Sequence, residues 1–167
     1  MPTWVVRVDQ VKTQEASRMP TRSRRQSEET SRPKASSEAV RKRMQSTPQR
    51  DTPAELRIRQ LLHAMGLRYS VDAKPLSDSP RRADVIFRRA KVAVFVDGCF
   101  WHGCPKPKHS NLPRNNQEFW AKKLQGNKDR DKLVSRELKK TGWKVVRVWE
   151  HELKYPEKII AKLSRLL

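Results

Sequence analysis

Both cysteines of the chain and two of its four histidines fall in one stretch, "VDGCFWHGCPKPKH", residues 96–109. The spacing Cys99-x4-Cys104-x4-His109 gathers three thiol or imidazole groups, and His151 follows an apolar run further on. Thiolates and imidazoles suit tetrahedral Zn2+, and four of them close its shell as a structural site. The local spacing departs from the usual C-x2-4-C, so two small buried hydrophobes and two surface histidines remain an alternative. A glycine- and proline-containing loop with little apolar content needs a cross-link to hold its shape, which favours the metal. His102 lies between the cysteines and is left over for other work.

A second set of candidates is acidic. Asp84 opens the apolar run "ADVIF" after two arginines, and Asp97 closes the next run, "KVAVFV". If the two runs form a hairpin, their ends meet. A carboxylate there could hold Mg2+ beside a phosphate, where the ion stabilises charge and activates water. Glu55 and Asp131 are further acids able to reach such a place. Each also has a plainer reading. Glu55 fits a helix capping box, Asp131 a solvated helix face, and Asp97-Gly98 a turn.

The elements that must position these groups are readable in outline. A short helix is predicted through "EAVRKRM" from Ser37. In "TPAELRIRQLLHAMG", Thr52 suits the N-cap, Pro53 the first turn and Glu55 the capping-box position. Ile58, Leu61, Leu62 and Met65 make one apolar face, and Gly66 suits the stop. Strands are predicted at 67–71, 83–87 and 91–96, the last two joined as a hairpin. A long polar helix is predicted from about Asn116 to Lys140, then a strand over 143–149 and a closing helix with Pro156 in its first turn. That order predicts an α/β domain, one mixed sheet flanked by helices.

Composition sets the partner class. Lysine and arginine number 38 against 18 acids, a net charge of +20. The excess is shared: residues 1–50 hold 12 basic and 5 acidic side chains, so the remainder is strongly basic too. Such a surface favours a polyanion, and nucleic acid is the first candidate. Only 35% of residues are hydrophobic. Residues 1–36, rich in Arg, Ser, Thr, Glu and Pro, read as a disordered basic arm ahead of a domain over 37–167. Within that arm "WVVRV" at 4–8 could pair as a strand. No apolar run approaches a membrane span, and the start lacks the apolar core of a signal peptide. A cytoplasmic, nucleoid-associated location is therefore expected, with thiols or metal ligands rather than a disulfide.

The blocks "RMQSTPQRDTPAELRIRQLLHAMGLRY", "RRADVIF", "VAVFVDGCFWHGCP", "NNQEFWAKKLQGNKDRD" and "GWKVVRVWEHEL" resemble, in order and spacing, the very short patch repair (Vsr) endonucleases. The resemblance covers about residues 37–153, with no counterpart for the arm. It implies a restriction-endonuclease-like fold that nicks one strand of double-stranded DNA at a T:G mismatch, the product of 5-methylcytosine deamination. It implies Mg2+ at Asp84 and the Val96 backbone carbonyl, catalysis by His102, and support from Glu55 and Asp131. Cys99, Cys104, His109 and His151 fall on the family's zinc positions. Met44, Phe100 and Trp101 match residues that wedge between base pairs beside the mismatch. On the residues alone, Phe100 and Trp101 would serve equally as core.

At position 97 the best-known members carry a second catalytic histidine, whereas this chain has Asp97. We expect Asp97 to join the Mg2+ site, directly or through water. The protein is expected to act as a monomer, with mismatch-repair proteins as possible partners. A zinc-stapled DNA-binding module without catalysis, and a restriction-type nuclease on paired DNA, are the competing readings.

Overall fold

Short β-rich runs separated by helical patterns must find their pairings through the sheet. In the computed structural model, which describes residues 33, 35–48 and 50–167, they do so around one four-stranded sheet. The arm expected over 1–36 and the strand at 4–8 lie almost wholly outside the described residues. The segment Ala35–Leu167 forms one compact unit.

Helix α1 spans Glu38–Gln45, and the Ser37 hydroxyl caps it by accepting the Val40 N–H at 3.2 Å. None of its residues is buried. Helix α2 runs Pro53–Ala64, started by Thr52 and Pro53 as expected. The Thr52 hydroxyl accepts the Glu55 N–H at 3.3 Å, which satisfies one otherwise orphaned donor. Ile58 and Leu62 are fully buried on its inner face. Gly66, at φ +69, lets the chain leave the helix in a conformation that side chains resist.

The strands are β1 (Ser70–Ala73), β2 (Ala83–Phe87), β3 (Val92–Asp97) and β4 (Lys144–Trp149), in that spatial order. β1 to β3 pair antiparallel, with Val85 opposite Val94 in the expected hairpin. β3 and β4 are parallel in register from Val92↔Lys144 to Asp97↔Trp149. The first strand starts later than the 67–71 expected. Leu67 and Tyr69 pack against the core instead, and the Tyr69 hydroxyl donates to the Arg59 carbonyl at 2.9 Å. The extent of β1 is set by what β2 offers it, Ala83 to Ile86.

Helix α3 (Gln117–Lys140) makes the crossover between β3 and β4 and covers one sheet face. Ile86, Ala93, Val134, Leu138 and Trp143 pack there. The other face is covered by α2 and the closing helix α4 (Pro156–Ser164), where Ile58, Leu62, Ile159 and Leu163 meet Val85, Val94, Val146 and Val148. A 3-10 turn at Glu150–Lys154, absent from the sequence reading, joins β4 to α4. No described helix is long and apolar enough to cross a membrane.

Candidate active site and metal centre

Parallel strands β3 and β4 end level with one another, so the segments that follow them leave from the same edge. After Asp97 the backbone turns tightly: His102 N–H donates to the Gly98 carbonyl at 3.1 Å, and Cys104 N–H to the Cys99 carbonyl at 2.9 Å. Gly103 is favoured in this turn. Its φ is +61, and a Cβ there would overlap the Lys128 side chain packed across it from α3. The turn brings Cys99 and Cys104 back toward the 3-10 segment that carries His151.

Cys99, Cys104, His109 and His151 converge. One ligand atom from each lies within 4.8 Å of the others. The Cys99 Sγ is 3.2 Å from His151 Nδ1, and the Cys104 Sγ is 3.6 Å from His151 Nδ1 and 3.8 Å from His109 Nδ1. The two rings meet edge to face at 4.7 Å. Burial pushes the Cys99 thiol above its ordinary value. Four donors aimed at one point make a group that could hold a metal ion.

Of the acids, Asp84 and Asp97 lie on neighbouring strands β2 and β3. Asp84 Oδ2 accepts the Val96 N–H at 2.7 Å, extending the hairpin ladder through a side chain. Burial pushes Asp84 up to about 6, against the Val96 hydrogen bond and with help from the charges of Glu55 and Asp97. Glu55 is buried at the start of α2. It accepts from the Thr52 hydroxyl at 2.9 Å, the Asp51 N–H at 3.0 Å and Arg59 at 3.2 Å. Its capping role and its place beside Asp84 are therefore compatible.

Asp97 is 2% exposed. The expectation that it joins a Mg2+ site meets a different geometry: Arg147 Nε and Nη2 donate to its two oxygens, each at 2.6 Å. Arg147 Nη2 also lies 3.0 Å from Asp131 Oδ1. Asp131 Oδ2 is 2.6 Å from His102 Nδ1, and Asp97 Oδ1 is 3.6 Å from the same nitrogen. The ligand atoms of Asp97, His102 and Asp131 are close enough to hold an ion. Here the guanidinium already supplies the positive charge between the two carboxylates. Burial works against a charged His102, but the Asp131 hydrogen bond and the two carboxylate charges outweigh it and hold its pKa above the ordinary value. Burial raises Asp131, but His102 and Arg147 outweigh it and hold the carboxyl below the usual range.

Asp131 is no solvated helix position. Trp120, Leu124, Asn127, Asp131, Val134 and Leu138 recur at spacings of three and four along α3, and the four apolar members are buried. Two polar residues interrupt that stripe, and both serve the loop: Asn127 donates to the Trp101 carbonyl at 2.9 Å. The interruption was the available signal for Asn127. Arg147 was missed as well. It is a charged residue between Val146 and Val148 in a strand, on the face that α3 covers, with its guanidinium 5.3 Å from the Phe95 ring centre.

Phe100 and Trp101 are half-buried rather than fully in the core. Their rings are 5.1 Å apart and lie 5.4 and 5.9 Å from the buried Trp120, while Phe119 adds a fourth ring. Lys123 stands over the group, 5.7 Å from the Trp101 centre. Met44, on α1, is 44% exposed.

The convergence of four Cys/His donors predicts a metalloprotein. Purified under reducing, chelator-free conditions, it should carry about one tightly held metal ion per chain. Cys104→Ala should lose the metal and lower the melting temperature. Elemental analysis finding no metal in the parent protein would remove the centre.

Comparison with known proteins identifies the family. The family model for the DNA mismatch endonuclease Vsr matches residues 34–107. The type II nicking enzyme V.NaeI of Lentzea aerocolonigenes is 42% identical over 111 residues, 65% of this chain and 66% of that enzyme. V.XorIIP of Xanthomonas oryzae pv. oryzae is 33% identical over 126 residues, 74% of this chain and 88% of its own. The DNA mismatch endonuclease Vsr of Escherichia coli is 35% identical over 121 residues, 71% of this chain and 73% of that protein. Among solved structures, the catalytic domain of the homing endonuclease I-Bth0305I is similar at 20% identity and a TM-score of 0.48, covering 70% of this chain and 94% of that one. Matched along most of its domain to relatives of this kind, the chain belongs to the Vsr family of DNA mismatch endonucleases.

Proposed function

We propose that residues 37–167 nick one strand of duplex DNA at a T:G mismatch in a Mg2+-dependent reaction, with residues 1–36 as a basic arm. The observation that carries this reading is the pairing of two groups about Asp97. A half-buried, desolvated carboxylate, Asp84, feels its charge, and a carboxylate-oriented imidazole, His102, lies 3.6 Å from it. An acid desolvated beside two further carboxylates suits a hard divalent cation, which restores its charged form. Asp84 and the Val96 carbonyl would hold Mg2+, and bound there the ion would supply Lewis-acid polarisation of the scissile phosphate.

The chain's own residues do the rest. His102 engages Asp131 through Nδ1, which leaves Nε2 as the nitrogen to orient or deprotonate the attacking water. Asp131 strengthens that base, since its carboxylate favours the proton-bearing imidazole. Glu55 adds negative charge beside Asp84 and fixes the start of α2 against it. Lys and Arg side chains hold phosphates, so affinity should fall with added salt.

Zinc is the metal best suited to the Cys/His centre. Zn–S near 2.3 Å and Zn–N near 2.0 Å at tetrahedral angles put sulfur and nitrogen about 3.6 Å apart. Three of the S···N separations here are 3.2, 3.6 and 3.8 Å. The ion's part is structural: it pins the loop bearing His102, Phe100 and Trp101 to the end of β4.

The half-buried aromatic pair, braced from behind by Trp120, suits a wedge between base pairs, with Met44 as a further contact. Stacking contributes about 1–3 kcal/mol per base, and a mismatched step costs less to open than a paired one. Trp101→Ala should therefore reduce the preference for T:G over C:G duplexes by roughly one to two orders of magnitude, with salt-sensitive non-specific binding intact. A folded, metal-replete variant with its full preference would make Trp101 a packing residue.

The catalytic reading is tested at Asp84. Asp84→Ala should abolish Mg2+-dependent nicking of a T:G duplex while binding stays within a few-fold of the parent. Nicking near the parent rate would show that the metal is held elsewhere.

A further inference from the structure

Beside His102 the structure pairs the buried Asp97 with Arg147. We propose that Arg147 is a positioning residue for the nicking reaction: it locks Asp97 and Asp131 into one rigid unit and thereby fixes His102. This rests on the reading of His102 as the catalytic histidine. The Asp97–Arg147 pair is a carboxylate and guanidinium beside that ring.

The geometry is that of a clamp with three ends. Arg147 Nε and Nη2 grip both oxygens of Asp97 at 2.6 Å, a two-pronged contact that orients a carboxylate as a single charge does not. The same Nη2 reaches Asp131 Oδ1 at 3.0 Å, and Nη1 donates to the Asp131 backbone carbonyl at 3.4 Å. Asp131 in turn holds His102 Nδ1 at 2.6 Å. Arg147 therefore links the end of β3, the middle of α3 and the His102 ring from its place on β4.

Three features argue that the clamp serves orientation. Asp97 is 2% exposed, and a carboxylate so placed without a partner would be costly. A plain valine or leucine pair would fill the same space at lower electrostatic cost, yet the chain keeps the charges beside His102. The guanidinium is also braced, 5.3 Å from the Phe95 ring centre. Lysine would keep the charge and lose the fork, because an ammonium cannot hold two carboxylates in fixed planes.

The test compares Arg147→Lys, Arg147→Gln, Asp97→Asn, the Asp97→Asn/Arg147→Gln double variant and His102→Ala. Each is assayed as the full chain for DNA affinity, metal content and single-turnover nicking of a T:G duplex at saturating protein and Mg2+. We expect Arg147→Lys to nick about 100-fold more slowly, the scale of a misplaced catalytic group. Its dissociation constant for DNA and its metal content should match the parent's. Arg147→Gln should be at least as slow, and the neutral double variant should regain part of that loss, because an amide pair can restore a hydrogen-bonded brace without stranding a charge. Parent-like nicking by Arg147→Lys alongside an inactive His102→Ala would overturn the positioning role alone. Parent-like nicking by His102→Ala would overturn the catalytic reading and the clamp with it. A loss in Arg147→Lys that appears only as weaker DNA binding would make Arg147 a binding residue. If the single variants fail to fold, a folded double variant that nicks at the parent rate would show the pair to be structural only.

Discussion

The parallel register of β3 with β4 is the constraint on which the site depends. Six residue pairs, from Val92↔Lys144 to Asp97↔Trp149, bring both strands to an end at the same level. The loop that starts at Gly98 and the 3-10 turn that starts at Glu150 therefore emerge side by side. Only then can Cys99 and Cys104 meet His151, and only then can Arg147 face Asp97 across one strand spacing. A parallel pair needs a long crossover, and α3 provides it. The crossover also returns Asn127 and Asp131 to the loop it left. Functional groups gathering beyond the carboxyl ends of parallel strands is a general consequence of α/β architecture.

Electrostatics explains why so many charged groups can share so little space. Asp84 relies on one backbone N–H and the nearness of Arg59, so burial dominates and the carboxyl is held well above the usual range. Asp97 and Asp131 share Arg147 and are compensated. The environment of Asp84 is thereby set apart from that of Asp97 and Asp131, which share a guanidinium. That division sets apart acids that look alike in the sequence: Asp84 is desolvated, while Asp131 is paired with His102 and Arg147.

Local chemistry made much of this legible in the sequence. Thr52 and Pro53 announced α2, the short link between two apolar runs announced the β2–β3 hairpin, and the clustering of Cys and His announced a group that could hold a metal. Features set by tertiary placement were less visible. The start of β1 depends on which residues β2 leaves open for pairing, and nothing between Leu67 and Ala73 states that. Glu55 reads as a cap from its neighbours, and its nearness to Asp84 follows only from docking α2 on the sheet. Asp131 and Asn127 were visible in principle as polar breaks in a heptad-like apolar stripe on α3, but solvated faces produce acids more often. Arg147 stands in a strand whose two faces both appear apolar until the register with β3 is known. The aromatic pair at Phe100 and Trp101 carried two readings, core and wedge. Half-burial against Trp120 leaves the rings both braced and accessible.

The central claim is that these groups cut one strand at a mismatch. It is tested most directly by single-turnover cleavage of duplexes that differ only in one base pair, T:G or C:G, with each strand labelled in turn and Mg2+ present or chelated. The account predicts a nick in one strand alone, in the T:G duplex, only with Mg2+. Equal cleavage of the C:G duplex, cuts in both strands, or cleavage unaffected by chelation would contradict it.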